Sequence, residues 1–184
     1  VKEVAEERVL LESLIENLHR KDLTDVEREN AIHEVWEKRE ALRMASKEEL
    51  AKAMGIPSRK VEEDLEAWEF RHKEKVAMAT STRVIRGTRG LPTEERKRII
   101  EKVQREEFKA SEVDAVAKIL RKAPEPIKEE LLKPKSSVTP KMAETIIEKL
   151  PKEEEQSLIL EEIKQFRLTE DEVEDRVREI QKAK

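Results

Sequence analysis

The chain has 184 residues, 45% charged, 36% hydrophobic and 3% aromatic, with three glycines, no tyrosine and no cysteine. That composition excludes disulfides, thiolate zinc sites and cysteine nucleophiles, and it leaves too little apolar mass for a large enzyme-like core, so one domain or two small ones are expected. The net charge of −4 hides a division: residues 1–70 hold twelve basic against nineteen acidic side chains, residues 71–105 eleven against four, a local +7, and residues 106–184 sixteen against twenty. A polyanionic partner responds to the local sign, because attraction between exposed charges is screened beyond roughly 10 Å at 0.1 M salt. The dominance of Glu, Lys, Leu, Ile and Ala over β-branched and aromatic residues predicts an all-α protein. No apolar run is long enough to span a membrane and the first residues lack an apolar signal core, so a cytoplasmic protein is expected. High Glu and Lys with little Gly is also the balance that heat-adapted proteins favour, which makes a thermophilic source an expectation.

The first helix is predicted from about Glu3 to His19, with Val9, Leu10, Leu14 and Leu18 as its apolar stripe. Thr24 or Asp25 can cap a second helix, whose apolar positions Val26, Ile32, Val35 and Trp36 lead to about Leu42; Trp36 is expected in the core. Ser46, with Glu49 three residues on, forms a capping box for a helix that points Leu50, Ala51 and Met54 inward. Gly55 supplies a left-handed turn, and Pro57 and Ser58 start the next helix, with Val61, Leu65 and Trp68 on one face. From about Lys75 to Pro92 the periodicity loosens, and a basic loop or hinge is expected. Beyond it, the stretch from Leu91 and the stretch from Leu150 form an internal repeat of about sixty residues. Each unit offers a Pro near its start, a helix, a polar turn, a Ser111 or Thr169 cap and a further helix. Between the two lie Pro124, Pro126, Pro134 and Pro140, with a helix capped by Thr139. The expected division is an N-terminal helix over 1–24, a helix-turn-helix region with its basic loop over 25–90 and a stack of short helices over 91–184.

"SKEELAKAMGIPSRKVEEDLEAW", Ser46 to Trp68, has the spacing of a helix-turn-helix: Ala51 four before the turn glycine and Val61 six after it let two helices cross closely. Any packed helix pair can share that spacing. As a DNA reader, the pair would present Ser46 and Lys47 at the start of its first helix and Ser58, Arg59, Lys60 and Glu62 at the start of its second. Arg59 could bond guanine bidentately, Ser58 could meet a phosphate and Glu62 could accept from a cytosine amino group. The run Glu62, Glu63, Asp64 argues the other way, since unpaired carboxylates near phosphates repel. Basic residues follow directly: Arg71, Lys73, Lys75, Arg83, Arg86, Arg89, Arg96, Lys97 and Arg98, with Ser81, Thr82 and Thr88 as small donors for phosphate oxygens. His19, His33 and His72 stand among charged residues where metal binding is not expected.

A second feature is "LIENLHRKDLTDVERENAI", in which Glu16, Asn17 and Arg20 fall within about one turn at the end of an apolar helix. Spacing alone reads them as helix-terminus residues satisfying last-turn carbonyls. This run, the helix-turn-helix some twenty residues later and the repeated "LP" units with paired glutamates together resemble the ParB family of plasmid and chromosome partition proteins, over nearly the whole chain. The resemblance implies binding of centromere-like and flanking double-stranded DNA, spreading by self-association as a homo-oligomer, work alongside a ParA-type ATPase, and localisation on nucleoid or plasmid DNA. It also implies that the ENxxR residues, here Glu16, Asn17 and Arg20, belong to a CTP and magnesium site of a longer parent. The glycine- and arginine-rich phosphate motif of that lobe does not occur in these residues, so the chain reads as a fragment with that lobe removed or as a relative that never had it, without a nucleotide cofactor and without enzymatic activity. Against the family pattern, acidic residues stand in the recognition helix and the basic segment between Phe70 and Leu91 is long; a phosphate-gripping role for that segment would explain both. The alternative is a helical protein–protein interaction module in which the helix-turn-helix is only structural, supported by repeat units that each bury a face against a neighbour.

Overall fold

A computed structural model describes residues 9, 11–13, 15–18 and 23–182. No described residue lies in a strand, and no described helix is long and apolar enough to cross a membrane. The chain divides into two compact units, Val1–Arg86 and Gly87–Lys184.

In the first unit, helical residues within 9–18 precede α1 (Asp25–Glu37), α2 (Lys47–Met54), α3 (Ser58–Lys73) and α4 (Thr82–Gly87), whose last residue begins the second unit. Thr24 closes a full capping box on α1: Glu27 donates its backbone N–H to the Thr24 hydroxyl, and its carboxylate accepts from the Thr24 N–H at 2.8 Å. Ile32 and Val35 from α1, Leu50, Ala51 and Met54 from α2, and Val61 and Leu65 from α3 form one buried cluster. Each large side chain among them contributes about 1.5–3 kcal/mol relative to exposure. The face that the first helix lends to this cluster is Leu11, Ile15 and Leu18, at helical spacing, whereas Val9 from the expected stripe is exposed; Leu10 and Leu14 fall outside the described residues.

Two expectations about α1 need correction. α1 stops at Glu37 instead of reaching Leu42, because the Lys38 N–H turns back to the Val35 carbonyl at 3.1 Å and the chain continues as turns. Trp36 is half-buried rather than core, with the Arg39 guanidinium 4.8 Å and the Lys47 ammonium 5.9 Å from its ring centroid. Trp68 is also half-buried: its ring stacks between His33 at 3.2 Å and His72 at 3.9 Å, and its Nε1 donates to Asn30 at 3.0 Å.

Gly55 adopts the left-handed conformation expected of it (φ 65), which lets the Ile56 N–H return to the Ala51 carbonyl at 3.1 Å and sets α3 back across α2. The segment read as a basic loop contains α4 instead. Val84 and Ile85 are 1% exposed and Thr82 is fully buried, so one and a half turns are held down by packing and by the polar partners described below.

The second unit runs through α5 (Thr93–Gln104), a 3-10 turn (Ala110–Glu112), α6 (Val113–Lys122), α7 (Glu125–Leu132), α8 (Pro140–Lys149), α9 (Glu153–Phe166) and α10 (Glu170–Lys182). Its core includes Ile99, Val116, Leu120, Ile127, Leu131, Ile146, Leu150, Ile159, Ile163, Val173 and Val177. The repeat corresponds to the helix pairs α5 with α6 and α9 with α10. Thr169 caps α10 through a reciprocal pair with Glu172, and Thr139 caps α8 by accepting from the Met142 N–H at 3.2 Å. Ser111 does not cap α6; it sits inside the 3-10 turn, where Glu112 accepts from the Lys109 N–H at 3.0 Å.

Candidate nucleic-acid interface

Pro57 ends the turn in extended geometry, so the helical N–H groups of α3 begin at Ser58 with no side-chain cap on them. Open N–H groups and the positive end of the helix dipole form a place for an anion. Ser58 stands there as the first helical residue, followed by Arg59, whose side chain is 87% exposed. The Arg59 Nε donates to Glu63 at 2.8 Å, and that bond holds the Glu63 carboxyl below the ordinary glutamate range. An exposed pair at this spacing contributes only about 0.3–0.5 kcal/mol, so the guanidinium can leave it for a phosphate or a base edge at little cost. Lys60 lies 3.6 Å from Asp64. Burial pushes its ammonium below the ordinary lysine value; Asp64 opposes this, and Arg28 and Arg86 add to it. Glu62 is half-buried beside them. On α2, the Ser46 hydroxyl is engaged as the cap, accepting from the Glu49 N–H at 3.3 Å, and Lys47 leans over Trp36.

The acidic run is not a patch facing outward. Asp64 is fully buried, on the same stripe as Val61, Leu65 and Trp68, and it collects cations from three elements. Arg28 of α1 donates to it through Nε at 2.9 Å, Lys60 approaches along α3, and Arg86 of α4 makes a short ion pair with it. Burial works against the Arg28 charge, but its hydrogen bonds to Asp64 and Asp25 outweigh that and raise its pKa above the ordinary arginine value. Glu63 meets Arg86 at 3.4 Å as well as Arg59. Two of the three carboxylates are therefore neutralised inside the first unit.

The basic stretch divides accordingly. Arg71, expected on DNA, is 1% exposed: its Nε donates to the fully buried Glu29 at 3.0 Å and its Nη1 to the Ala77 carbonyl at 3.0 Å. Thr82 donates to the same Glu29 carboxylate through a short hydrogen bond. Arg86 is committed to Asp64 and Glu63, and Thr88 is buried, accepting from Arg96 Nε at 3.2 Å. These three sites are turned inward because each balances a buried polar partner that burial would otherwise leave uncompensated. Arg83 and Arg89 are exposed, and the Arg89 carbonyl accepts from Arg121 at 2.6 Å. Arg98 is held by Glu129 at 2.8 Å.

Glu16 and Asn17 are exposed on the first helix, and Arg20 lies outside the described residues. No group of three His, Asp or Glu able to hold a metal ion occurs among the described residues. The inward roles of Asp64, Arg71 and Glu29 had a signal in the sequence. Asp64 and Arg71 fall at helical spacing from Val61, Leu65 and Trp68, and Glu29 stands three before Ile32, so charges sit on apolar stripes. Comparison with protein-family models, with curated proteins and with solved structures gives no match.

Proposed function

We propose that the first unit binds duplex DNA, with the N-terminal end of α3 at the phosphate backbone and groove, in a protein of ParB-like partition type that works alongside a ParA-type ATPase. The observation that carries this reading is the open start of α3, where Ser58 and the 87%-exposed Arg59 stand while Asp64 is turned into the protein. Ser58 and the helix N–H groups take a phosphate; Arg59 exchanges its exposed partner Glu63 for a phosphate or a guanine edge. Arg83 is exposed and adds sequence-independent attraction. Arg71, Arg86 and Thr88 have no part in the contact. With Ser58 and the helix N–H groups on phosphate, Arg59 alone is left for a base edge, so sequence discrimination by this face is weak, which suits a protein that spreads along DNA. Measured against random-sequence duplex at low salt, Arg59→Ala is expected to weaken affinity by about tenfold, and Arg83→Ala by less, with a drop that is uniform across sequences. An unchanged affinity in Arg59→Ala would remove α3 from the contact.

A second reading, a helical protein–protein module in which the α2–α3 pair only packs, is favoured by Leu158 and Phe166 of α9, which are 50% and 63% exposed. The two readings meet if the second unit self-associates.

A further inference from the structure

The second unit holds a cavity of about 660 Å³ lined by Glu130, Lys133, Lys135, Ser136, Ser137, Lys164, Arg167 and Leu168. We propose that it binds a compact anion carrying two or more phosphate groups, such as an oligophosphate or a bisphosphorylated small molecule. The assignment uses the second unit alone and does not depend on the DNA reading.

Four cations and one carboxylate surround this space. Glu130 is already shared, 3.7 Å from the Lys133 ammonium and 3.5 Å from that of Lys164. The Lys135 ammonium and the Arg167 guanidinium have no carboxylate partner among the described residues. Two helices, α7 and α9, end beside the cavity, and the partial negative charge of a helix C-terminus favours a cation nearby. Lys164 also has Glu161 at 3.5 Å, so Lys135 and Arg167 are the two cations without a carboxylate, and a multiply charged anion would supply the missing countercharge.

The backbone that lines the cavity is tied down, while the side chains of Lys133, Lys135, Lys164 and Arg167 are exposed. Lys102, only 4% exposed, reaches under the loop between α7 and α8, donating to the Lys133 carbonyl at 2.8 Å and to Glu107 at 2.8 Å. Glu107 in turn accepts from the Lys135 N–H at 3.0 Å. Ser136 folds its hydroxyl back to accept from the Val138 N–H at 2.9 Å. Lys135 (φ 52) and Arg167 (φ 53) both hold the left-handed backbone conformation that non-glycine residues seldom adopt. Ser137 supplies a half-buried hydroxyl. The volume lies within the roughly 300–1,000 Å³ usual for small-molecule sites. Leu168 is the one apolar lining residue and none is aromatic, so the site offers donors for phosphate oxygens and no platform on which a base could stack.

The test is calorimetric titration of the whole chain with inorganic triphosphate at low salt. Wild type is expected to show one saturable site, and the Lys135→Gln/Arg167→Gln double variant an affinity at least about tenfold lower, equivalent to 1.4 kcal/mol. Neither replaced side chain has an ion-pair partner, so the thermal midpoint of the double variant should match that of wild type; Arg167→Glu alone gives the same loss should the double variant fail to fold. Absence of saturable triphosphate binding, or equal binding by the variant, overturns the proposal. So does binding of duplex DNA that these substitutions weaken when triphosphate itself does not bind, since that identifies an extended polymer as the occupant.

Discussion

Arg71→Leu is expected to cost about 3–5 kcal/mol, the loss typical of removing one partner from a buried ion pair. Arg71 and Glu29 are 1% and 0% exposed, and without the guanidinium the Glu29 carboxylate would keep only the Thr82 hydroxyl as a partner while remaining sealed from water. The same substitution removes the donor to the Ala77 carbonyl and so loosens the chain that leads into α4. The Glu29→Leu/Arg71→Leu double variant should recover much of this loss, because a buried pair replaced by apolar side chains of similar size is often close to neutral. Urea unfolding followed by tryptophan fluorescence measures it. Both tryptophans of the chain, Trp36 and Trp68, lie in the first unit, so the signal reports that unit. Equal losses in the single and double variants would show that the pair is not the source of the effect.

The second large effect is expected at Asp64. Asp64→Ala leaves Arg28, Arg86 and Lys60 facing one another around an empty anion position and should cost about 3 kcal/mol, the low end of the range for broken buried pairs. The low end applies because the cations are 19%, 25% and 29% exposed and can turn partly toward water, whereas Glu29 cannot. Since Asp64 joins α1, α3 and α4, its loss should also raise amide hydrogen exchange across α4. Unchanged exchange in α4 together with a loss below about 1 kcal/mol would mean that these contacts act as ordinary surface pairs.

Where local chemistry dictates structure, the sequence was readable. Thr24, Ser46, Thr139 and Thr169 cap helices where their spacing puts them, although the expected box at Ser46 is not closed because the Glu49 carboxylate accepts from the Ala45 N–H at 2.6 Å; Gly55 makes the left-handed turn, and Leu50, Ala51, Met54, Val61 and Leu65 are buried. Propensity and capping act over four or five residues, which is why they survive without knowledge of the fold. α4 was not readable, because six residues give no helical period; it exists through Thr82, Arg86, Val84 and Ile85, whose partners lie on distant parts of the chain. At the candidate site, the start of α3 falls at Ser58 as its spacing predicts, but the surroundings of its charges were not legible. Charge counting treated Glu62, Glu63 and Asp64 as one patch and Arg83, Arg86 and Arg89 as one clamp, but neighbours in sequence are about 100° apart around a helix and face different surroundings. The cavity lined by Lys135 and Arg167 left no trace at all, since these residues come together only when α7 and α9 end side by side.

The most direct measurement is the affinity of the whole chain for random-sequence duplex DNA across a series of salt concentrations. If the start of α3 grips phosphate, log Kobs falls linearly with log salt, and Arg59→Ala lessens the slope by about one. No binding at the lowest salt, or a slope that Arg59→Ala leaves unchanged, would contradict DNA binding through this face.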